Sequence, residues 1–425
     1  MMESGVRRWW ILTVGVALGG PATAMAQQGC DADNAGLSLP EGFCAGVFAT
    51  VDGRPRHLTV APNGDVIVAV SPTRQNRDIG GVVVLWDSNG DGKADERRAF
   101  GGGPGDDVVL FSGYLYYSTN STIVRYPWQD GQREPAGEPD TIVSGLPAIG
   151  GHRAKSMAIG SDGSLYVNVG SPSNACMTES RTMGSPGKDP CDELEAHAGI
   201  WRFDPNRLGQ SQINGRRFAT GMRNSVALTV RQSDDLVYAV IHGRDQLSEM
   251  WPDSYTDEQR AELPGEEFVQ VNNGDDFGWP YCYYDHRQGE KKLGPEYGGD
   301  GQEVGRCANA KDPLTVFPAH WAPNALLFYS GASFPDEYQN GAFVAFHGSW
   351  NRAPFPQGGY NVVFVPFRGG EPGEWEVFAD GFAGTEVNPR DADHRPVGLA
   401  QGPDGSLYVS DDQGGTIFKI SYTGR

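Results

Sequence analysis

Long apolar stretches with helical period are scarce in this chain of 425 residues. That argues against a helical bundle, whose members need an apolar stripe sustained over several turns. One apolar run stands out, Trp9 to Leu18, and at about ten residues it is too short to cross a bilayer. No two cysteines lie two to four residues apart, which excludes the usual zinc spacings, and no Cys-x-x-Cys-His is present to hold a covalent c-type haem. Positive charge is in deficit: 34 Lys and Arg stand against 54 Asp and Glu, a formal charge of −20. Such a surface repels nucleic acid and anionic lipid, so neither nucleic-acid binding nor membrane insertion is expected. Cationic partners and Ca2+ are attracted.

Glycine (59), proline (29) and aromatics (11%) are plentiful, which suits many short strands joined by tight turns and hence an all-β fold. The six cysteines are an even set of the kind found in oxidising compartments. Fifteen pairings are possible; their grouping along the chain favours the local pairs Cys30–Cys44, Cys176–Cys191 and Cys282–Cys307. Arg7 and Arg8, the apolar run and then Ala24-Met25-Ala26 have the layout of a secretory signal peptide over 1–26. The expectation is one domain over 27–425, periplasmic or secreted.

A local pattern recurs. Ala61-Pro-Asn-Gly-Asp-Val-Ile-Val-Ala, Gly160-Ser-Asp-Gly-Ser-Leu-Tyr-Val-Asn and Gly402-Pro-Asp-Gly-Ser-Leu-Tyr-Val-Ser each join a hairpin turn pair to an alternating strand. Degenerate copies start at Phe111, Gln232 and Tyr338. The first turn glycines, Gly64, Gly113 and Gly163, are spaced by roughly 50 residues, a blade-sized period. Six copies over the chain favour radial repetition over separate hairpins in a sandwich, so the expected fold is a six-bladed β-propeller. The wider later spacing leaves room for a loop insertion between late blades, around 250–320. Ligands then belong at one mouth of the central channel.

Several segments carry candidate chemistry. Asp87-Ser-Asn-Gly-Asp-Gly-Lys-Ala-Asp95 matches the first half of a calcium loop, with Asp87, Asn89, Asp91 and Asp95 as ligands, but lacks the glutamate that closes an EF-hand. The bland alternative is a solvated acidic turn. His152 precedes the strand of the third copy, where a histidine can serve as general base. Arg223-Asn224 and Arg395 occupy corresponding places before later strands, so a base and two cations converge on the axis and suit an acidic planar ligand. Each arginine taken alone would pair with one of the many acids. His242-Gly-Arg-Asp-Gln offers the carbonyls of Gly243 and Arg244 to a metal, with Asp275 and Asp276 steadying the loop. His320-Trp321 and His347 to Arg352 add polar and aromatic residues that wall a pocket.

In this order, Gly-Leu-Pro-x(4)-His (His152), Gly-x-Arg-Asn (Arg223, Asn224), His-Gly-x-Asp (His242 to Asp245), Gly-Asp-Asp-Phe-Gly-Trp-Pro (Gly274 to Pro280) and Arg-Pro-Val-Gly (from Arg395) resemble the pyrroloquinoline-quinone (PQQ)-dependent sugar dehydrogenases of the soluble glucose, aldose and sorbosone type. The resemblance implies that PQQ and Ca2+ are cofactors and that an aldose or sorbosone-like sugar is oxidised by hydride transfer to the quinone. His152 would be the base, Arg223 the oxyanion partner with Asn224 beside it, and Gly243 and Arg244 the carbonyl donors to Ca2+. Arg395 would meet a quinone carboxylate, and Arg352 would stand where glucose-oxidising relatives carry a lysine. An external electron acceptor, such as a cytochrome c, is also implied. Gly151 and Val397 depart from the glucose-oxidising pattern, and His347 to Arg352 is closer to the sorbosone-type branch. A calcium-dependent propeller lactonase and a non-catalytic binding propeller are the competing readings.

Overall fold

A computed structural model describes Met1 and residues 29–424; the expected signal peptide, Met1 apart, lies outside the described residues. Six antiparallel sheets form the blades. Blade I consists of Arg54–Val60, Val66–Ser71, Gly81–Trp86 and Glu96–Phe100, and blade II of Gly105–Phe111, Tyr114–Thr119, Ile123–Pro127 and Asp140–Val143. Blade III has Met157–Ile159, Leu165–Val169, Gly199–Phe203 and Arg216–Thr220; blade IV has Ala227–Arg231, Leu236–Ile241, Glu266–Val271 and Thr315–Phe317. Blade V holds Pro323–Phe328, Gly341–Phe346, Asn361–Arg368 and Glu376–Ala379. Blade VI takes Pro396–Gln401, Leu407–Asp411 and Thr416–Tyr422 from the end of the chain and Phe43–Thr50 from its beginning. Each innermost strand packs on the next, and that of blade VI returns to that of blade I, so the ring is closed. This is the expected six-bladed propeller.

Each of the six repeats falls on the turn between the first two strands of one blade. The alternation in these strands does not separate a buried face from a solvent face. Leu165, Tyr166 and Val167 are all buried, because a blade is covered on both faces. Leu165 and Val167 enter the core shared with blade II, and Tyr166 the core shared with blade IV. Val66 and Val68 likewise face blade VI while Ile67 and Ala69 face blade II. The six largest apolar clusters occupy the six junctions between blades. Period two therefore sorts side chains between two neighbours rather than between core and water.

The insertion sits inside blade IV, not in a connection between blades. After Glu266–Val271 the chain leaves the sheet, and Asp275–Asp276 runs parallel to the outer strand of blade III. It then forms the hairpin Cys282–Asp285 with Glu290–Leu293, and returns as the blade's outer strand. The Cys30–Cys44, Cys176–Cys191 and Cys282–Cys307 disulfides are formed. Among the described residues, no helix is long and apolar enough to cross a membrane.

Candidate functional site

In an up-and-down blade, the loops from second to third strand and from outer strand to the next blade leave on one face. Those loops carry Ser171, His242, His347 and Asp412 at the ends of second strands, and His152, Arg223, His320 and Arg395 just before inner strands. They enclose a cavity of about 230 Å³ lined by His152, Arg223, Asn224, His242, Gly243, Asp245, Glu266, His320, Asn324, His347, Trp350 and Arg395. A larger cavity, about 1080 Å³, opens at the other mouth among Thr59, Thr229, Arg231, Phe328, Phe367 and Gln401. Its one cation, Arg231, is paired with Asp234 and stacked on Tyr238 and Phe328. The smaller cavity is where acids, bases and cations converge.

His152 Nδ1 donates to the Ser171 carbonyl at 2.7 Å and lies 3.1 Å from Ser171 Oγ. That bond places the ring hydrogen on Nδ1 and leaves Nε2 with its lone pair. Burial, followed by the charge of Arg223, pushes the imidazole down to about 3, so it stands neutral as a base. Gly170 makes the arrangement possible: a Cβ there would lie 2.6 Å from His152 Cβ and 2.8 Å from Asn224 Oδ1.

Arg223 is buried and held by four hydrogen bonds. Nε donates to the Asn174 carbonyl at 3.2 Å, Nη1 to the Gly243 carbonyl at 2.7 Å, and Nη2 to Asn174 Oδ1 at 3.1 Å and Asp245 Oδ2 at 2.7 Å. Asp245 also accepts from Arg181 and Asn351. Burial pushes its carboxyl up, but Arg223, His320 and Arg181 outweigh that and hold it below the usual carboxylate range. Trp279 Nε1 donates to the Asn174 carbonyl at 2.9 Å, which is how the Gly274 to Pro280 segment reaches the site. Asp275 and Asp276 do not steady the 243–244 loop: Asp275 pairs with Lys311, and Asp276 accepts from the Gly278 amide. Asn224 lines the cavity and accepts, through its carbonyl, from the His242 amide.

Arg395 reaches the cavity from blade VI. Its Nε and Nη2 donate to the carbonyls of His347 and Gly348, both at 2.9 Å. Gly348 has φ +92° and lies against the Tyr360 ring, so a side chain there would disturb the turn that holds Arg395. Among the described residues Arg395 has no carboxylate within ion-pair distance, which leaves a half-buried cation facing the cavity.

Arg244 is expected to offer only its carbonyl, while Arg352 and the Asp87–Asp95 loop lie away from the cavity. The Arg244 side chain turns away into a buried pair with Glu296 at 2.5 Å, leaving only its backbone near Gly243. Arg352 does not line the cavity: its guanidinium is held by the Ala261, Ala319 and Pro356 carbonyls and by Glu262. The Asp87–Asp95 loop joins the third and outer strands of blade I, a turn on the opposite face. There Asp87 caps the Gly90 and Gly92 amides at 2.7 Å, Asn89 and Asp91 cap later amides, and Asp95 accepts from Ser88. The carboxylates of Asp87, Asp91 and Asp95 do not converge on a common point.

Three features went unread in the sequence. Arg54 and Arg56 both pair with Asp412, which accepts from His347 Nε2 at 2.7 Å, so a charged network backs Arg395. Ser171 and Asp412 follow the second strands of their blades just as His242 and His347 do; aligning the ends of the repeats, rather than their turns, would have found these two as well. Glu266 sits in the strand Glu-Glu-Phe-Val-Gln-Val, where nothing marks it as a cavity residue. Its Oε2 accepts from the Gly243 amide at 2.8 Å and its Oε1 from the Ala322 amide at 3.3 Å. Burial pushes its carboxyl up to about 8.

A family model described as TrAA12-like matches residues 37–423. The chain belongs to the TrAA12-like family. It is 29% identical over 291 residues to the pyrroloquinoline quinone-dependent pyranose dehydrogenase of Coprinopsis cinerea, covering 56% of this chain and 37% of that one. It is 28% identical over 208 residues to an uncharacterised protein of Borreliella burgdorferi, covering 48% of each. The chain thus spans about half or less of the length of these curated relatives. Among solved structures, the holo pyranose dehydrogenase PQQ domain of Coprinopsis cinerea superposes with a TM-score of 0.73 at 20% identity, over 91% of this chain and 97% of that one. A calcium structure of a Trichoderma reesei Family AA12 enzyme gives the same values. The PQQ-bound aldose sugar dehydrogenase of Streptomyces coelicolor gives a TM-score of 0.53 at 17% identity, over 90% and 99%. These likenesses bear out the propeller fold and the family resemblance.

Proposed function

We propose that the chain is a PQQ- and Ca2+-dependent dehydrogenase oxidising a pyranose or related aldose. The observation that carries this is His152: a neutral imidazole with Nε2 free, at the wall of a cavity that also presents a cation without a carboxylate partner. The donor set suits an anionic planar group and a hard cation, because among the described residues Arg395 has no ion-paired acid and Glu266 no ion-paired base. The family relatives named for PQQ and for calcium support the same reading.

When bound, the quinone supplies a two-electron acceptor and Ca2+ a Lewis acid. His152 Nε2 takes the proton of the substrate hydroxyl. Arg223, clamped by Asn174 and Asp245, is a fixed positive wall for developing negative charge and needs no reorganisation. Arg395 would hold a carboxylate of the cofactor, and the carbonyls of Gly243 and Arg244 would hold the cation. Trp350, half exposed at the mouth, offers an aromatic face to the sugar ring. An external acceptor would take the electrons, a cationic cytochrome c being suited to the acidic surface. Export rests on the residue 1–26 pattern and agrees with the three disulfides.

The test is reconstitution. Purified protein is titrated with PQQ and Ca2+, and dye reduction is followed with a panel of pyranoses and sorbosone. Saturable calcium-dependent quinone binding with reduction by one sugar is expected; no quinone binding at micromolar concentration would rule the reading out.

A further inference from the structure

Glu266 is a buried carboxyl of the cavity wall that, among the described residues, makes no ion pair, whereas Asp245 in the same wall and other buried acids around it do. Asp245 has Arg223 and Arg181, Asp412 has Arg54, Arg56 and His347, Glu296 has Arg244, and Glu267 has Lys291. Glu266 is 2% exposed and, among the described residues, makes no ion pair. Its contacts are two backbone amides, one from Gly243 in the blade IV loop and one from Ala322 at the entry to blade V. These bonds aim the carboxyl without neutralising it, and each oxygen keeps a lone pair. A buried carboxylate in that state is costly unless a cation joins it. A hard divalent cation takes six to eight oxygen donors, and neutral carbonyls alone give it no charge.

We propose that Glu266 is the protein carboxylate against which the cation of this cavity binds, beside the Gly243–Arg244 backbone. The proposal rests on the Ca2+-dependent reading above and adds to it a side-chain anion from the third strand of blade IV. One carboxyl then does two things. It ties the Gly243 turn to blade V through its amide bonds, and it supplies the negative charge that the carbonyls lack. Because Arg223 donates to the Gly243 carbonyl, a cation at that turn would stand beside a guanidinium; Glu266 is the group that offsets this repulsion.

The experiment is calorimetric titration of Ca2+ into cofactor-free protein, with and without PQQ, in a D87N/D91N parent so that the distant acidic loop does not contribute. Glu266→Gln and Glu266→Ala are compared with that parent, and the Ca2+-dependent rise in melting temperature is read on each. The expected result is a loss of Ca2+ affinity of at least about tenfold in both variants, with the Ca2+-induced rise in melting temperature abolished. Variants that bind Ca2+ like the parent overturn the proposal while leaving the dehydrogenase reading intact. A parent that binds PQQ but no Ca2+ overturns the proposal as well, and a parent that binds neither overturns both. A purely structural Glu266 predicts lower melting temperatures with the Ca2+-dependent rise retained, which also counts against it.

Discussion

At the scale of the residue, the site depends on which atoms are already occupied. His152 spends Nδ1 on Ser171 and keeps Nε2. His152→Gln should lower kcat by about 10²–10⁴ while leaving PQQ affinity unchanged, measured by single-turnover reduction beside a binding titration. Because the folded-state value is depressed to about 3, the acid limb of kcat/KM should be missing near the ordinary imidazole pKa. The same depression has a sign for stability. The neutral ring contributes fully above about pH 6.5, and that contribution is withdrawn as pH falls through about 3, because the unfolded chain binds the proton first. Melting temperature against pH, compared between wild type and His152→Gln, should show the difference growing towards neutrality. Among the described residues Arg395 has no ion-paired acid, so Arg395→Ala should weaken quinone binding by about 10–100-fold with little change in melting temperature. An unchanged quinone dissociation constant would place the cofactor elsewhere.

At the scale of the element, loops set by disulfides and strand ends hold these side chains. Cys176–Cys191 closes the connection between the second and third strands of blade III, which carries Ser171 and Asn174. Asn174 in turn holds Arg223 and Asp245. Replacing both cysteines by serine should cost about 3 kcal/mol in a chain-entropy estimate, read from chemical denaturation. It should also weaken quinone binding, since the Asn174 carbonyl bridges Trp279 and Arg223. A variant that loses stability yet binds quinone normally would show that the loop is ordered by its hydrogen bonds alone.

At the scale of the molecule, stability resides between blades. Phe343 is fully buried in the blade V–VI cluster and packs its ring against Tyr329, Phe364 and Phe378. Phe343→Ala should cost about 3–5 kcal/mol, seen as a lower denaturation midpoint. The net charge of −20 bears on the acceptor rather than on the fold. Electron transfer to a cationic cytochrome should slow as ionic strength rises, because the Debye length shrinks to roughly 8 Å at physiological salt; reduction of a neutral dye should not change. A salt-independent cytochrome rate would remove the steering part of the proposal.

The turn pairs and alternating strands determined the number of blades, since each Asp-Gly or Asn-Gly hairpin is a local decision made by a few residues. The order of His152, Arg223-Asn224 and Arg395 before inner strands likewise showed which residues would meet, because equivalent positions in a ring converge on its axis. Cysteine grouping was legible for the same local reason. Charge pairing was not. Arg352 and Arg244 carry the same guanidinium as Arg395, yet partners distant in the chain draw the first two into Glu262 and Glu296 and leave the third open to the cavity. Glu266 reads as one more strand residue until blade V brings the Ala322 amide to it. Backbone conformation follows short-range sterics and turn chemistry, so the sequence by itself determined the repeat. Which charges are neutralised depends on long-range contacts, and only the closed ring of blades decided that.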